Sequence, residues 1–418
     1  MILEWRKEVL HLLQQTSTTT KAVVAAAVAV LIIRWMTKKQ YKLPPGPRPL
    51  PLLGNILELR GVSILDKLDE WKQKYGPIVT CYMGPRMFIV LNDFESMNEA
   101  YVKQGSDFSS RPMLYSMEVI SDGFKDIALA PYGEVWKYQR KITSLALRQY
   151  LMGDQLENRV HETLQPIIES LKKHIESFTD SIILAQQQAL QEDDPTVATV
   201  FTDDHAKQIL ADVFSAGLDA SRQTLDWLLL VLVAYPDTQR KMQEEIDRVV
   251  GKAVPGKEHK AKLVYTEAVL LETMRLYYVA PIGLPHETMR DTTVGGYEVP
   301  AKVTVLTNSM AMMRDPKLWS DPLHFIPERF IGSNEDGSGS TIVSRHVGWA
   351  PFSIGHRTCI GESVAKLELV FIVAGLLQKL SFSYAPQGEQ KVPNMKHSTK
   401  GVTFLPEPYY IKVSSRGN

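Results

Sequence analysis

Two cysteines, Cys81 and Cys359, are present in 418 residues. Cys359 therefore belongs to no disulfide framework and no four-cysteine metal site. It lies in Phe352-Ser-Ile-Gly355-His-Arg357-Thr-Cys359-Ile-Gly361, directly ahead of an apolar stretch, Gly361 to Leu380, that reads as a helix. A thiol at a helix start meets free backbone N–H groups and the positive end of the helix dipole. Both favour the thiolate, the form that binds metals.

The spacing Phe-x-x-Gly-x-Arg-x-Cys-x-Gly resembles, at every fixed position, the signature of the cytochrome P-450 superfamily. The resemblance implies haem b (iron protoporphyrin IX) with Cys359 as axial ligand, a thiolate that pushes electron density onto iron and favours O–O cleavage. Physical roles for the neighbours follow. Gly355 and Gly361 let the backbone pass close to a flat porphyrin and take turn geometry that a Cβ hinders. Phe352 covers the sulfur and keeps water away. Arg357 offers a guanidinium fork to a haem propionate.

Other segments match in the family's order. Glu272-Thr-Met-Arg275 puts two charges three apart on one helix face. Asp321-Pro-Leu-His-Phe-Ile-Pro-Glu-Arg329-Phe follows it. The resemblance implies that Glu272, Arg275 and Arg329 lock together behind the thiolate loop. Trp136 and Arg140 are four apart, so an indole N–H and a guanidinium point the same way; by resemblance, that is toward a propionate. His286, in Gly-Leu-Pro-His, occupies a position that often supplies another propionate donor, though a lone histidine is as readily incidental. Ala216-Gly217-Leu-Asp219-Ala220-Ser221 resembles the oxygen-activation stretch Ala-Gly-x-Asp/Glu-Thr. Gly217 permits a local opening and Asp219 feeds protons inward. The usual threonine is Ala220 here, and Ser221 is turned about 100° round the helix, so it is no automatic substitute. Tyr115 to Ile120, Phe214, Pro281 to Leu284 (with Ile282) and Phe404 would line the substrate pocket by family position.

These groups need elements to hold them. Pro77 to Met83 and Met87 to Leu91 read as two strands joined by a Gly-Pro turn, with Cys81 a packing residue in the first. Asp203 to Ala234 reads as a very long helix. Pro236 opens a charged helix, Asp237 to Val250, closed by Gly251. Leu156, Val160, Leu164, Ile168, Leu171 and Ile175 mark a further helix face. Ser333 to Ser340 reads as a surface loop. The expected fold is mainly α with a small β-sheet region.

The amino terminus differs in composition. Ala22 to Ile33 is an uninterrupted apolar run. Extended from Thr18 to Met36 it reaches the roughly 20 residues of a membrane span, with Lys21 and Arg34 snorkelling at its ends. Lys38, Lys39 and Lys42 place the following side in the cytoplasm. A cleaved signal or a buried helix is the competing reading. The run Leu43-Pro-Pro-Gly-Pro-Arg-Pro-Leu-Pro-Leu-Leu-Gly54 cannot be helix and acts as a semi-rigid spacer. It resembles the hinge of microsomal P-450s. Residues 1–43 are thus an anchor and lead-in, and 44–418 the catalytic domain, on the cytoplasmic face of the endoplasmic reticulum membrane. Lys plus Arg and Asp plus Glu both number 47, so charge favours no nucleic-acid partner.

In wording such as Ser110-Arg-Pro-Met and Lys125-Asp-Ile-Ala-Leu-Ala-Pro-Tyr-Gly-Glu-Val-Trp136, the chain is most similar to the animal branch that holds steroid 17-alpha-hydroxylase/17,20-lyase and the family-one and family-two enzymes. One gap stands out. The helix ending near Ser177 runs directly into Phe178-Thr-Asp-Ser-Ile-Ile-Leu-Ala-Gln, which resembles a stretch just ahead of the long helix. Several helices, on the order of 60–80 residues, are then missing near 177–178, including those that roof the substrate pocket. Two functions follow from the resemblance. One is a membrane-anchored monooxygenase, inserting one atom of O2 into a lipophilic, steroid-like or xenobiotic substrate with electrons from NADPH through a flavoprotein reductase. The other is a non-catalytic shortened form that binds haem or reductase without turnover.

Overall fold

The computed structural model describes residues 40–152, 179–184, 186–187, 201–333, 340–343, 346–385, 395 and 404–417, together with Ala22, Val23 and Ala26. The helix face from Leu156 to Ile175 and the junction near 177–178 lie outside the described residues. So does most of the apolar run 22–33, of which Ala22, Val23 and Ala26 are helical. Among the described residues no helix is long and apolar enough to cross a membrane. The chain divides into two units, Met1–Lys42 and Leu43–Asn418. The second unit carries every motif.

It is mainly helical, with small sheets, consistent with a P450 fold. Helix α1 (Ile64–Tyr75) leads into a hairpin of β1 (Ile78–Met83) and β2 (Arg86–Leu91). Gly84, at φ 60°, takes the turn between them. Cys81 is buried in β1, where desolvation pushes its thiol up to about 12. The proline-rich run is not a free spacer. Thr80 donates its N–H to the Pro45 carbonyl (3.0 Å) and its hydroxyl to that of Pro44 (2.8 Å), and a Cβ on Gly46 would stand 1.8 Å from the Thr80 carbonyl oxygen. The run is docked along β1 as a short extension of the sheet edge.

Two helices follow: α2 (Tyr115–Ile120), which buries no residue, and α3 (Glu134–Met152). The longest element, α4 (Asp203–Ala234), starts where Asp203 and Asp204 meet the dipole and the Thr202 N–H donates to His205 Nδ1. It stops at Tyr235, because Pro236 disfavours helical geometry in the residue before it. That proline then opens α5 (Pro236–Val249). Helix α6 (Val264–Leu276) follows, fastened at its start by buried Glu245, which accepts the N–H groups of Tyr265 and Thr266 at 2.8 Å. Strands β3 (His286–Glu287) and β4 (Thr304–Thr307) complete a four-stranded sheet of order β1-β2-β4-β3. In it β4 runs parallel to β2, Phe88 opposite Thr304. The expected loop Ser333 to Ser340 is paired at both edges: β5 (Ile331–Ser333) and β6 (Ser340–Ile342) form a hairpin. Helix α7 (Glu362–Lys379) and the ribbon β7 (Leu380–Tyr384) with β8 (Ile411–Ser415) close the chain.

The main core joins the second half of α4 to α5, α6 and α7. Trp227, Leu228, Leu230 and Val231 are buried against Leu270, Phe371 and Leu377. Each such side chain contributes roughly 1.5–3 kcal/mol. The first half of α4 differs. Every residue from Phe214 to Ala220 is exposed, on all faces of two helical turns.

Candidate functional site

The Cys359 turn is built by its own backbone. The Cys359 N–H donates to the Phe352 carbonyl (2.8 Å), and the Thr358 hydroxyl reaches the same oxygen (3.2 Å). The Phe352 ring packs edge-on against Trp349. Gly355 is at φ 78°, and a Cβ there would lie 1.9 Å from the Tyr101 carbonyl oxygen. Tyr101 by itself requires a bare position there. Gly361 has an ordinary φ of −87°, and a Cβ would meet only the Cys359 sulfur at 3.8 Å. The turn geometry expected there imposes no glycine.

The thiol does not behave as its position alone suggests. Cys359 keeps solvent contact, yet the surrounding protein pushes its pKa above the ordinary value. The Gly361 and Glu362 N–H groups and the Arg140 guanidinium pull the other way, more weakly. The protein alone favours the thiol; a bound cation is what would draw out the thiolate.

Beside this turn lies a buried cationic cluster. Arg357 donates Nε to the Ser109 carbonyl (2.8 Å), Nη2 to that of Ala130 (2.6 Å) and Nη1 to that of Ile127 (3.4 Å). Three of its five N–H donors are engaged by backbone carbonyls. Trp136 donates its indole N–H to the same Ile127 carbonyl (2.9 Å). Arg140 donates to the Thr358 carbonyl at 2.5 Å and sits 5.4 Å from the Trp136 ring. His286, buried, pairs Nδ1 with the Phe108 carbonyl (2.7 Å) and stacks on Tyr101 at 4.0 Å.

A fifth member escaped sequence reasoning. Arg111 donates to the carbonyls of Ala128 (3.0 Å) and Pro285 (2.9 Å). A single arginine in a coil carries no periodic signal; its only mark was the Ser110-Arg-Pro-Met wording. Burial first, then mutual repulsion, lowers Arg357 to about 8, while burial lowers Arg111 to about 10. The carboxylate that eases both is Asp126. Two buried guanidiniums facing one carboxylate, with Arg140 beside them, leave an excess of positive charge. A planar group carrying two carboxylates and a thiolate-binding cation fits that donor set.

Glu272, Arg275 and Arg329 are brought together. Arg275 holds Glu272 through two bonds, 2.7 and 2.8 Å, both side chains fully buried. Arg329 Nε adds a third at 3.1 Å, and the Ile326 N–H a fourth at 2.9 Å. Every oxygen of the buried carboxylate is satisfied, which is what a buried ion pair needs to be tolerated.

The oxygen-activation stretch is laid out differently. Asp219 is exposed and tied to Gln223 Nε2 (2.5 Å) and Arg222 (3.4 Å). Ala216, Gly217 and Ala220 are exposed, and Ser221 is half-buried. The Ala220 carbonyl accepts the Thr224 hydroxyl (2.8 Å). The six substrate positions are not gathered into one lining. Tyr115, Ile120, Phe214 and Leu284 are exposed. Ile282 packs beside β1, and Phe404 is buried in the main core, stacked on Trp227. A cleft of about 500 Å³ instead lies against the cysteine loop, lined by Phe94, Trp349, Phe352 and Thr358.

Fold, cysteine turn and cationic cluster define one class, and the comparisons agree. The family model described as cytochrome P450 matches residues 44–180 and 158–413, and the chain belongs to that family, whose chemistry is haem-dependent monooxygenation. The chain is similar to Cytochrome P450 2U1 of Rattus norvegicus, 28% identical over 90% of this chain and 91% of the relative. Cytochrome P450 2C23 of Rattus norvegicus is 30% identical over 90% and 94%, and Cytochrome P450 2D27 of Mesocricetus auratus 26% identical over 90% and 94%. The first alignment spans 492 positions against a chain of 418 residues, so the chain lacks residues that relative has.

Proposed function

We propose that the chain is a membrane-anchored haem-thiolate monooxygenase acting on a lipophilic, steroid-like or xenobiotic substrate. The observation that carries this is the cluster of Arg111, Arg140 and Arg357 next to the Cys359 turn, with Asp126 the carboxylate facing Arg111 and Arg357. When bound, haem would supply activation of O2 and transfer of one oxygen atom. Cys359 would hold the iron. Arg111, Trp136, Arg140, His286 and Arg357 would hold the propionates, trading backbone carbonyls for charged acceptors, which form stronger bonds. The Glu272–Arg275–Arg329 network keeps the segment ahead of the cysteine turn in place. Asp219 holds a proton-accepting carboxylate at the solvent edge of α4, and Ala220 supplies no hydroxyl to hand a proton inward.

Electrons would come from NADPH through a flavoprotein reductase. The apolar run before Lys38 supports an anchor in residues 1–43, with domain 44–418 on the cytoplasmic side of the endoplasmic reticulum. The two overlapping family-model stretches support an internal shortening near 177–178.

A second reading rests on the bare turns of α4. Phe214 and Leu218, 42% and 52% exposed, have no roof among the described residues. A pocket so open admits water, and a shortened form that binds haem without turnover is the alternative. The reduced, carbon monoxide-treated spectrum tests the haem ligation that the first reading needs, and turnover of a lipophilic substrate separates the two readings. A thiolate-type Soret band that disappears in Cys359→Ala is expected. A thiol-type band, or no haem, would overturn the monooxygenase reading.

A further inference from the structure

Buried carboxyl groups outside the cysteine turn call for an account. Asp126, fully buried, accepts the Leu129 N–H at one oxygen, Oδ2 (2.6 Å). Its other oxygen, Oδ1, is buried with no hydrogen-bond donor. Asp212, on α4, accepts the N–H groups of Ile127 (3.0 Å) and Ala128 (3.2 Å) at Oδ2. Asp212 Oδ2 thus stands against the peptide that follows Asp126, and the Asp126 carboxyl raises the pKa of Asp212. Two carboxylates offer only acceptors, so the bare Oδ1 of Asp126 can be satisfied from Asp212 only if a proton lies between them.

One peptide unit that Asp212 grips also aims the cationic cluster: its N–H is that of Ala128, and its carbonyl, that of Ile127, meets Arg357 and Trp136. The next unit is held by Asp126 at the Leu129 N–H and presents the Ala128 carbonyl to Arg111. We propose that Asp126 and Asp212 share a single proton and act as positioning residues, fastening the segment from Asp126 to Ala130 to α4 so that Arg111, Trp136 and Arg357 are held for an anionic group. The role in haem binding rests on the proposed function; the shared proton does not.

The surrounding charges are few. Arg357 and Arg111 face Asp126, and favour its ionised form. Asp126 faces Asp212, and Lys125 turns away to Asp122 and Asp204. Desolvation and the facing carboxyl raise Asp212 from 3.8 to about 6. The fastening is therefore complete at low pH and weakens as pH rises through about 6, when the second charge appears.

Infrared titration of the full-length chain in detergent tests this. A protonated-carboxyl band is expected below about pH 6, lost above it, and absent from both Asp126→Asn and Asp212→Asn. Hydrogen-exchange protection of the Ile127 and Ala128 amides, corrected for intrinsic rates, should fall roughly tenfold to a hundredfold from about pH 5 to about pH 8. Asp126→Asn, whose amide can replace the shared proton as donor, should hold the low-pH protection throughout. A structural contact without a proton would leave protection flat with pH in the wild-type chain. That result, or no titrating carboxyl band in the wild type, overturns the proposal even if no variant folds. Neither readout needs haem, so failure of the monooxygenase reading leaves the outcome legible.

Discussion

The Arg357 guanidinium lies over the Trp136 ring, 3.9 Å from its centre, and both groups donate to the Ile127 carbonyl. A fork, an indole and one backbone oxygen thus form a single joint between the cysteine turn and the start of α3. Lysine cannot reproduce three directed donors at that place. Arg357→Lys should leave at least two buried carbonyls without partners and lower stability by about 2–4 kcal/mol. Urea unfolding of the two chains, at equal haem content, checks the value; a loss under half a kcal/mol would mean water takes the vacated bonds.

Glu272 offers a cleaner contrast. Its carboxylate receives two arginines and a backbone N–H while fully buried. Glu272→Ala strands Arg275 in the core and should cost about 3–5 kcal/mol, enough to prevent recovery of folded protein. The double variant Glu272→Leu with Arg275→Leu removes both buried charges and should recover part of that loss. Yield of soluble protein and thermal midpoint are the measurements.

The pH dependence has two limbs of opposite sign. Burial, with Arg111 next, holds His286 well below its usual 6.5. The unfolded chain takes that proton first, so this contribution is present above about 6.5 and fades as pH falls. Asp212 is raised, so its contribution is present below 3.8 and fades as pH climbs through about 6. His286→Phe keeps a ring against Tyr101 and removes the first limb. Stability measured from about pH 5 to about pH 7 should lose its acid-side decline in that variant. An unchanged slope would assign the decline to another group.

If the chain turns over substrate, Ala220→Thr should lower peroxide released per reductant consumed. A hydroxyl at 220 restores the family's pattern, and Ser221 lies about 100° round the helix. An unaltered ratio would point to the open surroundings of α4 as the cause of leakage.

How much of this was legible beforehand depends on the range of the forces involved. The limits of α4, Asp203 and Ala234, were readable because acidic residues and Pro236 act within one turn. The hairpin around Gly84 and the Glu272 and Arg275 spacing are equally local. The parallel pairing of Phe88 with Thr304 was not legible, since nothing near either residue encodes the other. Arg111 joins the cluster only because Pro285 and Ala128 come to it in space. The docking of the proline run on Thr80 escaped for the same reason: composition gave its stiffness but not its destination.

Gly217 now takes on a different meaning. It sits in the bare middle of α4, and a Cβ built on it meets nothing within 4 Å. Its φ is not in the left-handed region, so alanine fits without strain. Between Phe214 and Ala220 the described residues offer the helix no lateral support, so it behaves as a beam held at its two ends. Slack in such a beam is set by intrinsic propensity, and glycine is its weakest link by about 1 kcal/mol. Amide exchange at Leu218 and Asp219 then gauges the bending freedom of the unsupported span, not the strength of the core that clamps its far end.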